Sequence, residues 1–261
     1  MLFIGEEFMQ INRKKEILKI LEKQYSIKVA ELCNLLYASR STIRRDLEEL
    51  EKENLIIRSH GKVICNQAFA TVNVALSERE MNMLNVKKSL AATAISLIHD
   101  GNVIMLDAST TVSCLVHYLE KFQNIIAITC GVKTAYLLSK TNIRFLVSGG
   151  ECINQSFSLI GGDTLRSIGK YNADICFVSC HGLSENGMVT DTSVSENEVR
   201  KKILEQSKTK VLLVDSTKIN KQNWDNLCSI SDFDFVICDT ELPHNVASLV
   251  KCFILAKQDN D

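Results

Sequence analysis

Two hydrophobic rhythms divide the chain. In the first part apolar residues recur at helical spacing. Ile17, Ile20 and Leu21 share one face between Arg13 and Lys23, and Val29, Leu32, Cys33 and Leu36 follow the i, i+3, i+4, i+7 order of a second, shorter helix. After the break Tyr37-Ala38-Ser39, residues Ile43, Leu47 and Leu50 mark the buried face of a third helix from about Arg40 to Lys52, with Ser39 placed to cap it. Leu55-Ile56-Ile57 and Val63-Ile64 then bracket Arg58-Ser59-His60-Gly61-Lys62, which predicts two short strands around a basic tip.

A long helical pattern from Glu78 stops after His99 at Asp100-Gly101, and beyond it the rhythm changes. Short apolar runs at Val103–Leu106, Ile125–Thr129, Phe145–Val147, Ile175–Ser179, Val211–Val214 and Phe235–Cys238 alternate with helical stretches at Val112–Leu119, Val132–Leu138 and Glu196–Gln206. Strands that are apolar on both faces and separated by helices imply a parallel sheet covered on both sides. The single proline, Pro243, falls after the last of these runs. The expected organisation is α/β, with an N-terminal winged helix-turn-helix over residues 12–65, a connecting segment over 66–85, and an open parallel-sheet domain over 86–257.

Composition narrows the class. With 46% hydrophobic and 23% charged residues, the 261-residue chain has enough apolar surface to build a core. A formal net charge of −1 gives no sign of a nucleic-acid partner, but its distribution does: between Asn12 and Cys65 there are 12 Lys and Arg against 8 Asp and Glu. A small basic module on a near-neutral body suits DNA binding by one end. The ten cysteines include no CxxC pair and no His/Cys cluster, which argues against a disulfide framework or a metal site and for a reducing compartment. Met1–Phe8 carries Glu6 and Glu7 and no basic stretch, unlike a signal peptide, and no run of 18 apolar residues exists. The expectation is a cytoplasmic protein with no membrane partner and no cofactor.

The polar face of the third helix carries the first candidate chemistry. Ser41, Thr42, Arg44, Arg45 and Glu48 project away from the apolar face, hydroxyls and arginines in the first two turns. In a major groove, Arg can donate two hydrogen bonds to guanine, and Ser or Thr can reach phosphate or base edges. Arg58, His60 and Lys62 on the tip can follow the phosphates, and Ser39 opens the helix. A solvated helix followed by an ordinary hairpin would show the same residue types singly. The complete order of elements points to double-stranded DNA. RNA fits less well, because no aromatic stacking platform accompanies the basic residues.

The second candidate chemistry lies at strand ends, where open α/β sheets bind ligands. The first strand runs into Asp107-Ala108-Ser109-Thr110-Thr111, hydroxyls and amides at a helix start that suit a phosphate. Thr129, Gly149-Gly150, Asp174, Arg200, Asp215 and Lys218 are the other candidates, acids for sugar hydroxyls and cations for phosphate. Simple helix capping or a surface pair is the competing account of each one alone.

The run Val29-Ala30-Glu31-Leu32, then Ser41-Thr42-Ile43-Arg44-Arg45-Asp46-Leu47-Glu48-Glu49-Leu50-Glu51, then Ile57-Arg58-Ser59-His60-Gly61 resembles the DeoR-type winged helix-turn-helix. Leu106-Asp107, Thr110-Thr111, Ser148-Gly149-Gly150, Ile160-Gly161, Ala173-Asp174 and Asp215-Ser216-Thr217-Lys218 resemble that family's sensor domain. The resemblance implies a repressor, less often an activator, of sugar or nucleoside catabolic genes, released from its operator by a phosphorylated sugar. It also implies a sensor domain similar to ribose-5-phosphate isomerase, a phosphate-binding role for Asp107–Thr111, and a homo-oligomer, dimer or tetramer. The chain departs from the family pattern in places: Lys62 replaces a second wing glycine, Ala108-Ser109 stands where a glycine commonly precedes the threonine pair, Cys130 replaces Asn, and Arg200 replaces Lys. The alternative is a sugar-phosphate isomerase with a DNA-binding arm, using Glu196, Glu198 or Asp174 as base and Lys218 or Arg200 to hold charge. Nothing in the sequence marks any of these as catalytic, since a pocket binding the same ligand needs the same residue types.

Overall fold

The computed structural model describes residues 13–14, 16–18, 20–21, 26–52, 56–59, 61–65 and 82–256. The chain divides into two compact units, Met1–Ser77 and Glu78–Asp261.

In the first unit the described residues from 13 to 21 are helical, with Ile17, Leu18 and Leu21 buried. β1 (Ser26–Lys28), α1 (Val29–Leu35), α2 (Arg40–Lys52), β2 (Ile56–Ser59) and β3 (Lys62–Cys65) follow. The strands form an antiparallel sheet in the order β1-β3-β2, pairing Ile27 and Arg58 with Val63 from either side. β1 is an addition to the sequence reading, because three residues are too few to show a period. Ile17, Leu21, Leu32, Ile43, Leu47, Leu50, Ile56 and Val63 make one apolar core. Asp46 is buried among them, and Arg13 donates to it at 3.1 Å, which pairs a charge that would otherwise be costly there.

The second unit is built on seven parallel strands in the order β15-β14-β12-β9-β4-β5-β6 (Phe253–Leu255, Phe235–Cys238, Ser207–Val214, Ala173–Val178, Val103–Leu106, Ile126–Thr129 and Arg144–Val147). Alternation along each strand feeds two cores. Ile104, Leu106, Val211 and Leu213 face one side with Leu90, Val112 and Phe177, while Met105, Leu212 and Val214 face the other with Val199, Ile203 and Val236. This double burial is why the strands read as unbroken apolar runs. α3 (Leu84–Ala94), α4 (Thr110–Ser113), α5 (Val116–Leu119), α6 (Val132–Leu138), α7 (Gly162–Ile168), α8 (Val194–Glu205) and α9 (His244–Ala247) complete the unit, with a hairpin of β7 (Glu151–Ile153) and β8 (Ser158–Ile160). A separate antiparallel sheet joins β10 (Gly182–Leu183), β11 (Met188–Asp191) and β13 (Asp225–Ser229).

Chain order decides where a ligand fits. From β4 the chain moves outward to β5 and β6, then returns to β9 on the other side of β4 and moves outward through β12, β14 and β15. The connections leaving β4 and β9 therefore diverge, and a crevice opens at their carboxyl ends.

Some sequence expectations need correcting. The helical pattern from Glu78 resolves as α3 plus a turn of 3-10 helix at Ile95–Leu97, so regular structure starts before residue 86, while residues 66–81 of the connecting segment lie outside the described residues. Pro243 does not follow the last strand: it stands at the start of α9, with β15 still to come. Among the described residues, no helix is long and apolar enough to cross a membrane.

Candidate functional site

A pocket occupies the crevice between the ends of β4 and β9 and is lined by Ala108, Ser109, Thr110, Thr111, Arg200, Asp215 and Lys218, all expected from sequence. Lys87, Ser156, Ser179, Cys180, His181 and Glu196 line it as well.

Asp107 builds the pocket without facing a ligand. Its buried carboxylate accepts from Ser109 N at 2.9 Å, Ser179 N at 3.0 Å and Arg200 Nε at 3.2 Å, tying the β4 loop to the end of β9. The expected hydrogen bond to a sugar hydroxyl therefore gives way to a positioning role. Ser109 caps α4, its Oγ accepting from Val112 N at 3.1 Å. The amides of the first helical turn, Thr110 and Thr111, point out of the helix start, where an anion is favoured. Two ammonium groups accompany this loop: Lys87 donates to Thr110 Oγ1 at 3.1 Å, and Lys218 enters from the turn Ser216–Lys218 with no ion-pair partner among the described residues. Asp215 is buried, and its Oδ1 accepts from Thr217 N at 3.0 Å, which fixes the turn that carries Lys218.

Arg200, expected as a phosphate ligand, spends most of its donors inside the protein. It reaches Asp107 Oδ2 at 3.2 Å, Asp191 Oδ2 at 2.9 Å and Asn197 Oδ1 at 3.1 Å, with Glu196 Oε2 at 3.9 Å. Burial would lower its pKa, but Asp191, Asp107 and Glu196 together raise it. Burial likewise pushes Asp191 upward, yet the His181 hydrogen bond and the Arg200 charge outweigh it and hold the carboxyl at about 2. His181 Nδ1 lies 2.9 Å from Asp191 Oδ2, and the imidazole remains half-buried in the pocket wall.

Little in the sequence points to this His181–Asp191–Arg200 chain. His181 lies in a short connection after β9, and Asp191 ends β11, in a small antiparallel sheet with no period long enough to read. Cys130 and Cys180 are neutral space-filling thiols, pushed up to about 12 by burial. No group of three or more His, Cys, Asp or Glu among the described residues is arranged to hold a metal ion.

Four expected residues lie elsewhere. Thr129 is buried, and its Oγ1 accepts from Gly131 N at 3.0 Å. Gly149 O accepts from Thr164 Oγ1 at 2.6 Å, and a Cβ on Gly150 would fall 2.0 Å from that same hydroxyl oxygen. The close approach these glycines permit is to their own protein. Asp174 stands at the opposite end of the sheet, because it opens β9 where the pocket lies beyond the strand's far end. There it accepts from Val103 N at 3.0 Å and Lys208 Nζ at 2.9 Å, and these two partners lower its pKa.

In the first unit, Ser39 Oγ accepts from Thr42 N at 3.2 Å and bonds the hydroxyls of Ser41 and Thr42, each at 2.8 Å, so it caps α2 as expected. An open groove runs between the starts of α1 and α2 and the hairpin tip, lined by Lys28, Arg40, Ser41, Arg44, Gly61 and Lys62. Arg44 is exposed and loosely paired with Glu48 at 3.0 Å, and Arg45 is exposed beside it. Arg58 lines this groove as well, and Glu51 accepts from its Nε at 2.7 Å and from its backbone N at 3.2 Å, which ties the hairpin to α2. His60 lies outside the described residues. Lys28 and Arg40 join the groove although no helical face singled them out, because each sits at an element boundary.

Residues 13–69 match the DeoR-like helix-turn-helix domain, and residues 82–240 match the DeoR C terminal sensor domain. The chain belongs to the DeoR family. Relatives of this DeoR-family protein include the uncharacterized HTH-type transcriptional regulator YulB of Bacillus subtilis, 33% identical over 91% of this chain and 92% of that one. The HTH-type transcriptional repressor GlcR of Bacillus subtilis is 30% identical over 88% of each chain. The glycerol-3-phosphate regulon repressor of Escherichia coli is 28% identical over 92% of this chain and 95% of that one. Ribose 5-phosphate isomerase A from Methanocaldococcus jannaschii is similar over 52% of this chain and 55% of that one, with 17% identity and a TM-score of 0.40, a likeness too partial to bear on activity.

Proposed function

We propose that this DeoR-family regulator is a cytoplasmic repressor of carbohydrate or nucleoside catabolic genes. In this reading the helix-turn-helix, over about residues 12–65, binds a double-stranded DNA operator. The sensor domain, over about 86–257, binds a phosphorylated sugar, and the segment between them carries the coupling. The observation that carries it is the pocket at the β4–β9 divergence, where the Ser109–Thr111 loop meets Lys87 and Lys218. Two ammoniums and a helix start attract a dianion. The names of GlcR and the glycerol-3-phosphate regulon repressor support repression as the sign.

Arg44, Arg45, Ser41 and Thr42 are the base-reading candidates on α2, with Lys28, Arg40 and Lys62 on phosphates. A homodimer or tetramer on repeated half-sites completes the scheme. Release requires the sugar phosphate to favour a DNA-incompetent conformation, by an amount equal to its differential affinity for the two states.

The His181–Asp191 pair is the one observation that favours isomerase chemistry, since an oriented imidazole can serve as base. The binding reading is preferred, because Asp191 is shared with Arg200 in a structural network and the similar proteins are named as regulators. A turnover assay with pentose and hexose phosphates separates the two. For the binding reading, Lys218→Ala is expected to weaken sugar-phosphate binding by roughly tenfold or more, the scale of one charge-assisted hydrogen bond. Unchanged affinity would remove the phosphate from this loop.

A further inference from the structure

The pocket contains two polar side chains whose hydrogen bonding is incomplete, and neither belongs to the phosphate loop. The first is His181. Its Nδ1 lies 2.9 Å from Asp191 Oδ2, and Asp191 is held ionised by its surroundings, with a pKa of about 2. A carboxylate accepts only, so Nδ1 carries the hydrogen, and in the uncharged tautomer the ring keeps a lone pair on Nε2. That nitrogen has no partner among the described residues, and the ring lines the pocket. The second is Ser156, in the turn between β7 and β8. Its residue is 9% exposed, and its Oγ is a buried hydroxyl with no hydrogen-bond partner.

An orphaned buried hydroxyl is rare enough to call for a reason, and a ligand is one. The turn is not loose. Val132 N donates to Phe157 O at 2.9 Å, Leu159 N donates to Cys130 O at 2.8 Å, and Thr164 anchors the hairpin base at Gly149 O and Ile160 O. Ser156 is therefore held in the pocket wall, while rotation about its χ1 breaks no hydrogen bond.

We infer that His181 and Ser156 read the hydroxyls of the sugar, His181 Nε2 accepting a hydrogen bond and Ser156 Oγ completing the set, while the loop and the lysines take the phosphate. This inference rests on the pocket being the effector site. It adds a division of labour: one end is selective for phosphate, the other for the polyol.

The test uses full-length protein and calorimetric titration with glycerol 3-phosphate, ribose 5-phosphate, fructose 1-phosphate and fructose 6-phosphate, plus inorganic phosphate as the probe that lacks hydroxyl-bearing carbon. For the sugar phosphate that wild type binds best, His181→Phe and Ser156→Ala are each expected to lose about 3- to 10-fold in affinity, the scale of one hydrogen bond. Inorganic phosphate should change by less than about twofold in both. Ser156→Ala should also leave the melting temperature of the ligand-free protein undiminished, because its hydroxyl has no bond to lose. Equal losses for sugar phosphate and phosphate, or no loss in either variant, would overturn the inference while leaving the pocket reading intact. If wild type bound no sugar phosphate at all, the pocket reading itself would fall and the inference with it.

Discussion

Replacing Arg200 by Met removes a charge that three carboxylates share in the interior of the sensor domain. Asp107 and Asp191 lie within 3.2 Å of its nitrogens and Glu196 at 3.9 Å, and the first two are almost wholly buried. Met fills much of the volume, so the cost is chiefly electrostatic: buried anions left without their cation. Breaking such a pair costs about 3–5 kcal/mol. At 2–4 °C per kcal/mol for a domain of this size, the sensor transition should fall by roughly 6–20 °C at pH 7.

The pH dependence differs between the two proteins. In wild type the Asp191 carboxyl sits at about 2 against an ordinary 3.8, which contributes about 2 kcal/mol above pH 4 and is lost as pH falls toward 2. In Arg200→Met the Asp191 carboxyl keeps its His181 hydrogen bond but loses the Arg200 charge, so its pKa rises from that low value toward the ordinary one and less stability is left to lose in acid. Urea unfolding at pH 7 and pH 3 should show the gap between the two proteins shrinking by about 1 kcal/mol. A deficit below about 1 kcal/mol at pH 7, or an equal deficit at both pH values, would refute the clamp.

Other outcomes follow from single contacts. Gly150→Ala places a Cβ 2.6 Å from Ile160 O at a φ of +111°, and should destabilise the sensor domain by more than about 1 kcal/mol in a urea melt; a neutral effect would mean the hairpin base is not packed this way. Glu51→Gln releases Arg58 toward DNA, so the slope of log K against log salt should steepen by about one, and an unchanged slope would keep Arg58 off the phosphates. Asp174→Asn removes the carboxylate from the far end of the sheet and should leave sugar-phosphate affinity within about twofold of wild type, whereas a tenfold loss would restore it to the site.

The elements legible in the sequence are those whose pattern is long or doubly buried. α2 showed Ile43, Leu47 and Leu50 at helical spacing, and the central strands showed apolar runs because residues such as Val211 and Leu212 are buried on opposite faces. β1, the β7–β8 hairpin and the β10-β11-β13 sheet were not legible, since strands of two to five residues offer too little period. The Asp107–Thr111 loop was readable because its residues are contiguous. His181 and Ser156 were not, because they come from two connections that only the fold brings to one pocket, and Asp191, at the end of β11, meets His181 only in the folded chain. Asp174 shows the converse error: an acid at a strand boundary reads alike at either end, and only strand direction assigns it to the far side. The pairing of Arg58 with Glu51 across space was likewise not readable, since a basic hairpin residue looks the same in sequence with or without such a partner.

The most direct test of the central claim is operator release. Fluorescence anisotropy of the full-length protein on DNA from upstream of its own gene cluster, at fixed salt, should show specific binding that Arg44→Ala/Arg45→Ala abolishes. One sugar phosphate should shift that affinity by at least about tenfold, roughly 1.4 kcal/mol of coupling. Specific binding that no sugar phosphate alters would contradict the account of the sensor pocket, and no specific binding at any salt concentration would contradict the account as a whole.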